Sequence, residues 1–235
     1  MTAHADTLTP AVGDPAGSAG TLRPRLVAGT LALAATTVAG VLLVRPWPER
    51  DAFDYGQVAP SRDSIWLGVM VDGLAFALVG ITLALVVSGL VRARGATWAT
   101  IGAGFTAVGG VVFAMGAYAF GALAWYATDT STLDGETGGR LLDRAVDEVT
   151  HGMLLQMAGF LCYTVGTLLL CVALLRSGAV PRAIPAAVLV LTVVQFTPVP
   201  GRVLDLVQVA LMGVLVALAV LAARTHAPRL GKPQD

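Results

Sequence analysis

The 235-residue chain has no asparagine, one lysine and two cysteines, and only 13% of it is charged. Without asparagine there is no N-glycosylation acceptor. The two cysteines, Cys162 and Cys171, share one apolar stretch. Nine residues at 100° each put them on opposite faces of a helix, so they cannot bond to each other there. No disulfide framework or CxxC metal site is present. A soluble domain carries about 25% charged residues. Half that share, with a mean hydropathy of +0.76, excludes a water-soluble globule. A hydrophobic content of 56% at zero net charge excludes a disordered chain. Basic and acidic residues balance at fifteen each, which leaves no concentrated basic surface for nucleic acid. Catalytic signatures are absent as well: there is no GxSxG, HExxH, P-loop or strand–helix GxGxxG.

What the chain has is apolar length. The expected fold is an all-α, polytopic membrane protein with six transmembrane helices in one bundle. The spans fall at about 26–44, 65–91, 98–126, 152–175, 183–199 and 203–223, inside a domain covering 23–224. Leu26 to Val44 would cover about 28 Å, close to a bilayer core, and reads as an uncleaved signal anchor. The span at 183–199 carries Pro185 and Pro198, with Pro200 just beyond. Residues 1–22 read as a flexible tail and 225–235 as a second, basic one.

Six spans put both termini on one side. The N-terminal segment, 92–97, 176–182 and 224–235 hold nine basic and three acidic residues. The other side holds six basic and eleven acidic ones, and Asp72 lies within a span. Positive-inside bias makes both termini cytoplasmic. Trp66, Trp125 and Tyr126 at the outer ends and Trp98 at an inner end match an aromatic belt. A composition rich in Ala, Gly, Val and Arg points to a GC-rich bacterium, hence to a bacterial plasma membrane.

In the third span, Ala103, Ala107, Gly110, Ala114, Ala117 and Gly121 form a 3.5-residue repeat of small side chains. In lipid, helices associate by close packing rather than by the hydrophobic effect. The stripe predicts a central helix crossed at about 20°. A homodimer face is the alternative use. Gly102 and Gly104 are read as packing glycines.

Polar residues gather towards the outer third. Asp72 stands seven residues into its span, counted from Ile65. A carboxylate at that depth must face protein or water, and marks a functional-site candidate. Gln156, Gln195, Arg202, Asp205 and Gln208 lie at a similar level, and the inner halves of the second, fourth and sixth spans are almost purely apolar. That asymmetry predicts a polar pocket that opens outward and stops, whereas a pore needs polar residues along its length. Residues 138–151 are amphipathic, with Leu141, Leu142, Ala145, Val146 and Val149 on one side. They form either an interfacial helix or an outward extension of the fourth span. On a continuous helix Asp147 and Glu148 reach His151, and a Glu-x-x-His pair can bind metal in bundles. Glu148 and His151 are therefore weak metal candidates that need Asp72 or Asp205 beside them. No cofactor is expected.

Leu67-Gly68 with Asp72 four residues after the glycine, and the turn Arg176-Ser177-Gly178-Ala179-Val180-Pro181-Arg182, carry a likeness. In these stretches the layout resembles a broad bacterial family of uncharacterised six-helix integral membrane proteins. The resemblance implies a fold and a membrane, and no activity. Three functional readings stand beside each other. The first is a non-enzymatic sensor, scaffold or modulator with an outward-facing polar pocket. The second is a small transporter or transporter accessory using Asp72 as a proton or cation site. The third is a membrane-embedded enzyme using Asp72, His151 and Asp205. The lipid bilayer is the expected partner, with a homodimer or another membrane protein as further options.

Overall fold

The computed structural model describes residues 16–44, 54–148, 150, 153–197 and 201–225. Among these there are seven helices of twelve residues or more and no strand. They are α1 (Ala16–Val44), α2 (Arg62–Leu90), α3 (Ala96–Ala127), α4 (Gly135–Asp147), α5 (Leu154–Ser177), α6 (Ala183–Val194) and α7 (Gly201–Thr225). A single turn, Tyr55–Val58, runs through Ala59–Ser61 into α2. Five helices are long and apolar enough to cross a membrane: Leu22–Val44 of α1, α2 with its leading turn, α3, α5 and α7.

The sixth expected span differs. Over 183–199 the helix stops at Val194, and Gln195 to Thr197 form a turn. Twelve residues cover about 18 Å, less than a hydrocarbon core of about 30 Å. Pro198 is the physical reason, because the residue before a proline is driven out of the α region. Residues 198–199 lie outside the described residues, as do the first fifteen and the last ten.

The six core helices close into a ring. Each packs on the next in the order α1, α2, α3, α5, α6, α7, and α7 returns to α1. Two turns at one end of this ring depend on glycine. Gly95, between α2 and α3, has φ 94°, and a Cβ there would come within 2.9 Å of the Ala173 carbonyl oxygen. Gly178, with φ 64°, ends α5 in the left-handed region, and Pro181 follows. At this end the interior is apolar. Leu31, Ala35 and Val38 of α1 face Val79, Leu83 and Val87 of α2, Leu170 and Leu174 of α5, and Leu211, Leu215 and Leu218 of α7. Each set recurs every three to four residues, the spacing of one helical face.

α3 sits between α2 and α5. Gly110, Ala114 and Gly121 of the small-residue stripe lie against α2. A Cβ on Gly110 would stand 3.3 Å from the Gly80 Cα and the Phe76 carbonyl oxygen, and one on Gly121 would stand 3.0 Å from Val69. The Ala114 Cα lies 3.6 Å from where a Cβ on Gly73 would stand. Ala117 is buried, whereas Ala103 and Ala107 are half-buried. A second set of glycines faces α5. Gly102, Gly109 and Gly116 recur every seven residues, opposite Gly159 and Gly166 at the same interval. A Cβ on Gly109, Gly116, Gly159 or Gly166 would collide with the partner's backbone, at Tyr163, Gln156, Phe113 and Thr106 respectively. Two backbones thus touch along several turns, the closest packing a membrane helix pair can reach. Gly104 corrects its sequence reading: it meets nothing within 4 Å.

α4 is separate from the span that follows. It is capped by Asp134, whose side chain accepts from the Thr137 N–H at 2.9 Å, and it ends at Asp147. An outward extension of α5 is thereby overturned. Leu142 and Ala145 pack on Phe120, Ala124 and Ala127 of α3 and on Val58. Leu141 stays exposed and Val146 is half-buried, while Val149 lies outside the described residues.

Candidate functional site

At the α4 end of the ring the helices part around a cavity of about 770 Å³. Five ring helices, α1, α2, α3, α5 and α7, line it, together with Gln195 just past α6. Five of the polar candidates meet there: Asp72 from α2, Gln156 from α5, Gln195 at the end of α6, and Asp205 and Gln208 from α7. On α2 the wall is Ser64, Gly68, Asp72 and Phe76, four residues apart and so on one face. Asp72 stands ten residues into α2, about 15 Å along the helix.

The floor is aromatic. The ring centroids of Phe76 and Phe113 lie 4.3 Å apart, and those of Phe76 and Tyr163 lie 4.6 Å apart. Below them the interior is mostly apolar to the far end, with Thr82 and Thr167 as buried polar exceptions. The mouth is marked by exposed Val44 and Ser64.

Asp205 is buried at 9% exposure, and Asp72 is half-buried with one carboxylate oxygen sealed from solvent. Each interacts with another group of the chain. The Gln195 amide nitrogen is also sealed and has no hydrogen-bond partner among the described residues. Such a group retains unspent bonding capacity at a desolvation cost of about 1–3 kcal/mol.

Two candidates fall elsewhere. Arg202 is exposed, does not line the cavity, and makes a long 3.5 Å hydrogen bond to the Leu42 carbonyl oxygen near the end of α1. A cation beside a helix C-terminus is favourable. His151 lies outside the described residues. Its reach to Asp147 and Glu148 assumed one continuous helix, but α4 ends at Asp147. Glu148 is instead bound by Arg144 at 2.9 Å. Among the described residues no three His, Cys, Asp or Glu side chains gather as metal ligands would.

Sequence reasoning missed two parts of this end. The first is the aromatic lining: Phe76, Phe113, Phe120 and Phe160 are four of only seven phenylalanines in the chain. Periodicity alone marks them as core. The second is a buttress beside the mouth. Arg62 Nη1 donates to Asp129 Oδ1 at 2.8 Å, and its guanidinium sits 5.0 Å over the Trp125 ring. Trp125 Nε1 donates in turn to Asp63 Oδ1 at 2.8 Å. This ties the start of α2 to the end of α3. The Arg62 hydrogen bond, followed by those from Ser131, holds the Asp129 carboxyl well below the usual carboxylate range. No local motif announces a pair 67 residues apart.

Comparison with known protein families, with curated proteins and with solved structures finds no match.

Proposed function

We propose that the chain is a multi-pass protein of a bacterial plasma membrane, with both termini cytoplasmic. Its cup opens to the outer side and binds a small ligand in a non-enzymatic role, as a sensor, scaffold or modulator. The observation that carries this reading is the cavity: polar side chains of α2, α5 and α7, with Gln195 just past α6, converge on about 770 Å³ closed below by aromatic rings. Ligand sites are pockets of about 300–1,000 Å³ with mostly apolar walls and a few convergent polar groups. The excess of basic residues at the far end supports the orientation. In this topology α6 and the turn from Gln195 to Thr197 belong to the sixth passage. The apolar floor weighs against a continuous pore.

A second reading keeps Asp72 as the proton or cation site of a small transporter, and the same experiment separates the two. Gly68 lines the cavity and has nothing within 4 Å of a Cβ position. A Gly68→Cys variant, with Cys162 and Cys171 replaced by Ala, is labelled in intact cells and in inverted vesicles with a membrane-impermeant maleimide. The cup predicts labelling in intact cells alone. A transporter predicts labelling from both sides. Labelling in inverted vesicles alone overturns the orientation.

A further inference from the structure

We infer that the cup is built for an organic ammonium ion attached to an apolar body; this rests on the reading of the cavity as a ligand site. Three helix N-termini (α2, α5, α7) and three C-termini (α1, α3, α6) meet at this end, so their dipoles offset one another. Side chains then decide the charge. Among the described lining residues there are two carboxylates, Asp72 and Asp205, and no Lys, Arg or His. Both carboxylates already interact with the chain. A carboxylate offers about four lone-pair positions, so one bound by the protein keeps room for a second donor.

The aromatic lining points the same way. Phe76, Phe113, Phe120 and Phe160 line the same cavity as the two carboxylates. The face of an aromatic ring attracts a cation and repels an anion, and the attraction grows once water is excluded. Carboxylates alone would suit a hydrated metal ion, and phenylalanines alone a neutral oil. Rings and carboxylates around one space suit an ammonium carrying hydrocarbon.

The test titrates the full chain in nanodiscs of zwitterionic lipid, by calorimetry, with three probes that share one phenylpropyl body: phenylpropylammonium, phenylpropanol and phenylpropanesulfonate. The cation is expected to bind at least about tenfold more tightly than the other two. Asp72→Asn and Asp205→Asn should each weaken the cation by about tenfold and leave the alcohol unchanged, which a merely structural loss would not do. Asp72→Glu should keep the preference. Gly68→Trp, which projects an indole into the cavity, should weaken binding of all three probes. If the alcohol or the sulfonate binds as tightly as the cation, and Gly68→Trp weakens it, the ammonium assignment is overturned while the cavity remains a ligand site. An unchanged cation affinity in both Asn variants overturns the assignment too. If no probe shows binding sensitive to Gly68→Trp, both readings fail.

Discussion

The two sides of the ring are held together by different means. Along α2, α3 and α5, glycines meet backbone. Gly80, Gly102, Gly109, Gly116, Gly159 and Gly166 each lack room for a Cβ. Along α1 and α7 the glycines do the opposite: Gly29, Gly40 and Gly213 meet nothing within 4 Å, and leucine and alanine fill the interface. Lipid offers no hydrophobic force between helices, so contact area decides how tightly they hold. The glycine side reaches that contact through main chain, which cannot rotate away. The leucine side reaches it through side chains, which can rearrange. The cup opens where the two sides meet, with Asp72 on the rigid wall and Asp205 on the adaptable one.

The largest effect should come from filling the α3–α5 seam. Gly109→Leu or Gly166→Leu drives a side chain into the partner's backbone and should cost about 3 kcal/mol or more. Such variants should lose the monodisperse peak in size-exclusion chromatography in detergent. Gly110→Leu is expected to be milder, at about 1–3 kcal/mol, because the stripe towards α2 is looser. A lowered but measurable thermal midpoint checks it, and an unchanged midpoint would remove that stripe from the account.

The buttress beside the cup should respond to acid. The Asp129 carboxyl titrates lower in the folded chain than its ordinary value of 3.8. Its contribution is therefore complete above that value and fades as pH falls below it towards the folded value. Wild type should lose thermal stability on acidification below about pH 4, and Asp129→Asn should lose less of it. The smallest effect belongs to Gly104→Leu and Gly213→Leu, which meet open space and should stay within about 0.5 kcal/mol of wild type. A collapse of either would show an unseen partner on that surface.

Much of this plan is legible in the residues. Five spans can be read from apolar length. The convergence of Asp72, Gln156, Gln195, Asp205 and Gln208 follows from their common depth. The seam towards α5 is harder to read. Its glycines stand seven residues apart, and Gly109 is adjacent to Gly110 of the Gly/Ala stripe, so the sequence does not separate the two faces. Depth gives a level and says little about direction: Arg202 bonds the carbonyl of Leu42 on α1, whereas Asp205 lines the cavity. The early stop of α6 is written in Pro198, but a hydropathy window averages across it. The Arg62–Asp129 tie depends on tertiary approach and has no local signal at all.

The central claim is a water-filled cup on α2 above a dry floor. Spin labels placed singly at positions 68, 72, 76, 79 and 83 of α2, in reconstituted bilayers, would read contact with aqueous nickel and with lipid-dissolved oxygen. High nickel access at 68 and 72, falling to none at 79 and 83, is the predicted profile. Nickel access continuing through 83, or oxygen rather than nickel dominating at 72, would contradict it.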